Sequence, residues 1–251
     1  MDVITTTERI DDIPTLAAYD ADAAAPLPLV FLLHGFTGRK EDNRANVAAL
    51  ARRGYYAVAL DAHLHGELGS QPFDPADAAA RMLEVTLVTT GFVDHLIDHY
   101  AHVAGPADAS RVGLMGTSMG GAIIMHYLPR RHPSLKAAVV MIAGFPSLWP
   151  TVLRNAKPLY PAFGVTDAAI AAAEKIEYPP LLEGVRDFPL LMLYGEADPI
   201  IPIGAVREVH AQIEARYGDS EKLKMVSYAG VGHEVPPRML VEAVKWLAQY
   251  V

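Results

Sequence analysis

The sequence predicts an α/β fold, a mostly parallel central sheet flanked by helices, with a small insertion acting as a cap. Three observations carry that prediction. Short, near-continuous apolar runs alternate with longer stretches of helical pattern, the signature of βα units. No repeat of 20 to 50 residues interrupts this rhythm. The chain has 251 residues, 51% of them apolar, enough for one large core in a single domain spanning 1–251.

Taken in order, Val3–Thr6 and Leu16–Tyr19 are expected to add an antiparallel edge. Leu29–Leu33 is the first long strand, and Asp42–Arg53 the helix that follows it. Tyr55–Leu60 is next, followed by a helix over Ala78–His102. Val112–Met115 leads into a helix over Met119–Arg130, and Ala137–Ile142 is a further strand. Leu190–Tyr194 with a helix over Ile203–Tyr217, then Lys224–Tyr228 with a helix over Pro237–Gln249, complete the pattern. The strands are apolar throughout instead of alternating, as expected where both faces are covered. Two prolines open the last helix, where the missing N–H would have no partner anyway.

The stretch from Gly144 to Phe188 breaks the rhythm. It is rich in proline and aromatic residues, with one clear helical patch at Asp167–Lys175. A connection this long is usually functional. It is read as a cap or lid inserted over 144–188, against the alternative of an extra helix packed at the sheet edge.

Composition narrows the chemistry. A formal charge of −8 argues against nucleic acid or an anionic membrane as partner. The chain has no cysteine, which removes disulfides, thiolate metal sites and a Cys nucleophile. The polar start, Met1 to Asp12, lacks a secretory pattern, and no window approaches 18 apolar residues, so a cytoplasmic protein is expected.

The central motif is Gly116-Thr117-Ser118-Met119-Gly120. It lies between a predicted strand and a predicted helix, where a sharp turn would push the Ser118 hydroxyl out at the strand's carboxyl end. Glycines allow the strand and helix to approach closely there. A serine hydroxyl needs an adjacent base to act as a nucleophile. Among ten histidines, His233 follows the last strand in the glycine-bracketed run Ala229-Gly230-Val231-Gly232-His233-Glu234. A carboxylate must then hold the imidazole. Asp198, in Gly195-Glu196-Ala197-Asp198-Pro199, is the first choice and Glu196 the second.

These motifs, with Leu33-His34-Gly35-Phe36, resemble the α/β-hydrolase superfamily across essentially the whole chain. Within it, His34–Asn43 and Gly116–Gly121 are similar to bacterial carboxylesterases of the prolyl-oligopeptidase-like and dienelactone-hydrolase-like group. The chain carries Ser where dienelactone hydrolases typically carry Cys, and it lacks the long extra domain of prolyl oligopeptidases. The order Ser, Asp, His is the one the superfamily uses. The resemblance implies an oxyanion hole from the backbone N–H groups of Phe36 and Met119, with the Phe36 side chain facing an acyl pocket. It implies a carboxylesterase acting on small to medium acyl esters of small molecules, without metal or other cofactor. Amide, peptide or thioester hydrolysis and perhydrolysis use the same triad, and a non-catalytic binding protein is the remaining class. Trp149 and Tyr160 are candidates to line the pocket or to pack the cap. His63 and His65 are too poorly spaced to fix a metal, and His95, His99 and His102 read as a solvated helix face.

Overall fold

The computed structural model describes residues 2–69, 80–175 and 185–251. Its centre is an eight-stranded sheet of order β1-β2-β4-β3-β5-β6-β7-β8. The strands are β1 (Val3–Ile10), β2 (Ile13–Asp20), β3 (Leu27–Leu33), β4 (Tyr56–Leu60), β5 (Ala107–Thr117), β6 (Leu135–Met141), β7 (Leu190–Gly195) and β8 (Leu223–Tyr228). β1 and β2 form an antiparallel hairpin, and β2 runs antiparallel to β4. Every pairing from β4 through β3 to β8 is parallel.

Seven α-helices lie among the described residues: α1 (Arg44–Ala51), α2 (Met82–His102), α3 (Met119–Tyr127), α4 (Trp149–Leu159), α5 (Asp167–Glu174), α6 (Ile203–Glu214) and α7 (Pro237–Tyr250). The alternation of side chains along each strand divides the core in two. On one face Phe31, Val58, Leu114, Val140 and Met192 pack with residues of α2, α3 and α6. On the other, Val30, Leu32, Val139 and Leu191 pack with Val47 and Leu50 of α1 and Met239 and Trp246 of α7. Burial on both faces of the inner strands explains why their apolar runs are continuous, while β8, at the edge, is mostly half-buried.

Three of the differences from the sequence expectation concern helices. The helix predicted from Asp42 begins with a 3₁₀ turn at Lys40–Asn43, tightened because the Asp42 carboxylate accepts the Arg39 N–H at 3.0 Å. The start of the helix predicted at Ala78 lies outside the described residues, and α2 is helical from Met82. The segment 144–188, whose residues 176–184 also lie outside the described ones, carries a helix, α4, that its prolines concealed. Pro150 sits in the first turn of α4, and Pro158 is its penultimate residue, so neither removes a central hydrogen bond. Among the described residues, no helix is long and apolar enough to cross a membrane.

Candidate active site

β5 ends and α3 begins at Ser118, which caps the helix with φ 52° and ψ −114°. A non-glycine residue in this region is strained, and such strain persists only where the surroundings over-determine it. Here the Ser118 N–H donates to the Met141 carbonyl at 2.8 Å, and its carbonyl accepts from Ala122 at 3.0 Å. Two glycines make the turn possible. A Cβ on Gly116 would lie 2.5 Å from the Gly120 carbonyl carbon, and one on Gly120 would lie 2.3 Å from the Leu33 carbonyl oxygen. Any side chain at either position would push α3 off β5 or off the end of β3.

The Ser118 hydroxyl meets His233 Nε2 at 3.0 Å. The other ring nitrogen, Nδ1, meets Asp198 Oδ2 at 2.8 Å. Asp198 is itself fixed, because its Oδ1 accepts backbone N–H bonds from Ile200 at 2.8 Å and Ile201 at 2.9 Å. Its side chain is fully buried, while that of His233 stays 18% exposed. The His233 loop is tied to the β7 end by bonds from the Glu196 and Ala197 N–H groups to the carbonyls of Tyr228 and Val231. Ser118, Asp198 and His233 therefore form one hydrogen-bonded line. Glu196, the second candidate for the acid, points elsewhere. Its carboxylate takes bonds from Ser227 Oγ at 2.7 Å and Arg207 at 3.0 Å.

The loop after β3 packs against the serine: a Cβ on Gly35 would lie 3.6 Å from the Ser118 Cβ. That loop holds Phe36, and the Met119 N–H opens α3 beside it. Buried His34 braces the loop. Its Nε2 accepts the Ala62 N–H at 3.0 Å, so the proton sits on Nδ1 and is donated to the Gly35 carbonyl at 2.8 Å. Burial pushes its pKa below the ordinary histidine value, and the imidazole stays neutral. Farther along, Lys40 is 1% exposed, and its ammonium meets Glu67 at 2.5 Å, Glu41 at 2.9 Å and Asp61 at 3.2 Å. Burial opposes that charge, but the three carboxylates more than offset it and hold the Lys40 pKa above its usual value. Asp61, fully buried, also accepts the N–H groups of Lys40 at 2.7 Å and Glu67 at 3.0 Å. This network joins the loop after β3 to the loop after β4.

A cavity of about 530 Å³ opens over Ser118 and His233. Trp149, Val152, Leu153 and Ala156 line it from one face of α4, at the i, i+3, i+4, i+7 spacing of an amphipathic helix. The Phe36 ring lines it too, standing edge-on to Trp149 at 6.2 Å and to Phe163 at 5.5 Å. Tyr160 stacks on Phe163 at 4.9 Å and also reaches the cavity. Asn43 and Asn46, at the start of α1, line another part; neither was among the residues expected to line the pocket.

None of His63, His65, His95, His99 and His102 lines the cavity, although the His65 ring stands against the loop after β3, 5.7 Å from that of Phe36 and 5.4 Å from that of His34. His63 Nε2 pairs with Glu84 at 3.2 Å, His65 Nδ1 bonds the His63 carbonyl at 2.9 Å, and His95 pairs with Asp11 at 2.6 Å. His99 stands edge-on to Tyr100, and His102 bonds the Asp98 carbonyl within α2. Among the described residues, no group of three His, Asp or Glu side chains is arranged to hold a metal ion.

The chain is similar to several known proteins. The chain is 26% identical over 232 residues to the "Putative esterase YitV" of Bacillus subtilis (strain 168), covering 90% of each chain. It superposes with a TM-score of 0.72 and 21% identity on a "Putative Dienelactone Hydrolase" from Klebsiella pneumoniae, covering 100% of both chains. It superposes with a TM-score of 0.71 and 16% identity on the Pyrococcus furiosus esterase Pf2001, covering 99% of this chain and 91% of that one. A family model described as "Serine aminopeptidase, S33" matches residues 24–176, a span that includes Ser118 and ends before Asp198 and His233. The chain belongs to this family of the α/β-hydrolase superfamily and is an enzyme of the serine-hydrolase kind.

Proposed function

We propose that the protein is a carboxylesterase that cleaves small to medium acyl esters through an acyl-enzyme on Ser118. The observation that carries this reading is the continuous line from Ser118 Oγ to His233 at 3.0 Å and from His233 to Asp198 at 2.8 Å, beneath a mostly apolar cavity.

In the first half-reaction Ser118 Oγ attacks the ester carbonyl, and its proton passes to His233 Nε2. Asp198 accepts the Nδ1–H and stabilises the imidazolium. The carbonyl oxygen becomes an oxyanion, held by the N–H groups of Phe36 and Met119; the latter opens α3, where the helix dipole favours negative charge. As the tetrahedral species collapses, the C–O bond to the alcohol breaks and His233 returns the proton to the departing oxygen. Water then attacks the acyl-serine, giving its proton to His233 and its hydroxyl to the acid, and Ser118 recovers its proton. The segment 144–188 acts as the cap, with Trp149, Tyr160 and Phe36 enclosing the acyl group. The esterase names of its relatives support the ester over other acyl substrates. Cleavage of an aminoacyl amide on the same triad is the second reading, favoured by the description of the family.

A fluorophosphonate probe with mass-spectrometric mapping, alongside hydrolysis of p-nitrophenyl esters and aminoacyl p-nitroanilides, tests both. Labelling at Ser118 is expected, with loss of labelling and ester turnover in Ser118→Ala. Labelling at another serine would overturn the site, and faster anilide than ester turnover would overturn the ester reading.

A further inference from the structure

The cavity over Ser118 has two chemically different ends, and the sheet keeps them apart. Its apolar end is built by α4, whose Trp149, Val152, Leu153 and Ala156 belong to the core cluster on the α2–α3 face. Its polar end is built by the start of α1, which covers the opposite face, and by Glu234 in the loop before α7, with apolar Val235 and Leu240 alongside. There Asn43 is buried and Asn46 half-buried, with Asp42 and Glu234 exposed at the rim. Among the described residues, no lysine or arginine lines the cavity.

The two amides are only partly occupied. Asn46 Nδ2 donates to Asn43 Oδ1 at 3.2 Å, the sole hydrogen bond of either side chain among the described residues. Asn43 keeps both of its N–H donors, and Asn46 keeps its acceptor oxygen and one donor. Polar groups held in a pocket without partners cost free energy that a matching ligand recovers.

Reaction geometry decides which half of the substrate lies at this end. The departing oxygen must come within hydrogen-bond reach of His233 Nε2 to receive its proton. Glu234 and Val235, the next residues in the chain, line the polar end. The leaving group therefore departs along the α1–α7 side, while the acyl chain runs beneath α4.

We infer that the enzyme selects esters whose alcohol is a neutral, hydroxyl-bearing group such as a polyol, read by Asn43 and Asn46. This rests on the esterase reading above and adds the alcohol half to it. The carboxylates of Asp42 and Glu234 accept hydroxyl protons and repel an anionic alcohol, so esters of hydroxy acids are poor substrates.

The test compares kcat/KM for glyceryl monobutyrate, propyl butyrate and butyrylcholine, which share one acyl group. One or two net hydrogen bonds make the glyceryl ester better than the propyl ester by about tenfold or more. In Asn46→Leu the glyceryl-to-propyl ratio is expected to fall toward one. Asn46→Ser keeps a hydroxyl in place, guards against a folding defect in the leucine variant, and is expected to give an intermediate ratio. A parent ratio near one, or a ratio unchanged in both variants, would overturn the inference. A choline ester better than the glyceryl ester would also overturn it, since the rim carboxylates would then be reading a cation. Labelling of Ser118 with a flat alcohol series refutes only this inference. Failure to label Ser118 refutes the catalytic reading beneath it.

Discussion

Replacing Lys40 by methionine probes how far the site depends on an ion pair that touches none of the reacting atoms. Methionine matches the lysine stem in length and supplies no charge, so little cavity forms and the electrostatic loss is isolated. Lys40 is 1% exposed and Asp61 fully buried, so water cannot replace the missing partner. Removing one member of a buried pair costs about 3–5 kcal/mol. Asp61 would keep two backbone N–H bonds, from residue 40 and Glu67, which points to the lower end, about 3 kcal/mol. With about 2.1 cal/mol/K of unfolding entropy per residue over 251 residues, Tm should fall by about 6 °C. The consequence for activity follows from position, because Lys40 ends the loop whose Phe36 N–H is assigned to the oxyanion. Turnover of p-nitrophenyl butyrate at 25 °C, where the variant is still folded, should fall more in kcat than KM rises. Adding Asp61→Asn should recover part of the lost stability, since the buried charge is then gone from both sides. Calorimetry showing Lys40→Met within 1 °C of the parent, or strictly additive losses in the double variant, would refute the reasoning.

Three further outcomes are expected. Asp198→Asn should lower kcat by on the order of 10⁴-fold with little change in Tm, because the amide can favour the wrong His233 tautomer. Glu196→Gln should cost little beside it, its bonds being to Ser227 and Arg207; the reverse ranking would move the acid to Glu196. Trp149→Ala or Tyr160→Ala should shift the preferred p-nitrophenyl ester toward longer acyl chains, each added buried methylene contributing up to about 0.8 kcal/mol. An unchanged chain-length profile with lower Tm would make these residues packing alone. Burial lowers the His65 pKa to about 4, so this ring must gain a proton when the chain unfolds in mild acid. A lowered histidine pKa gives stability that is complete above about pH 6.5 and lost as pH falls toward 4. Urea unfolding at pH 5 should therefore show about 2 kcal/mol less stability than at pH 8, with a smaller difference in His65→Phe; equal slopes in both proteins would remove His65 as the cause.

The inner strands were legible because burial on both faces leaves a plain apolar run, and each of the six long runs overlaps one of β3 to β8, to within a residue at Tyr55 and Ile142. The turn at Ser118 was legible because Gly116 and Gly120 are demanded by contacts under 3 Å, and such demands leave a mark in sequence. α4 was hidden for a local reason. Pro150 and Pro158 read as helix breakers, yet they occupy its first turn and its end. The spacing of Trp149, Val152, Leu153 and Ala156 was the signal that outweighed them. The Lys40–Asp61–Glu67 network could not be read in advance. Its partners come from loops whose course no periodicity specifies.

The strand order has a consequence for synthesis. From β3 the sheet gains β4 on one side and then β5, β6, β7 and β8 in succession on the other. A chain emerging from the ribosome can thus grow its sheet outward, each new strand docking on the open parallel edge left by the one before. Ser118 is in place once β6 supplies the Met141 carbonyl, but His233, its proposed base, lies 115 residues later, beyond the final strand. On the proposed mechanism the nascent enzyme carries an inert hydroxyl through most of its production, and its capacity to cut arrives only with the closing edge.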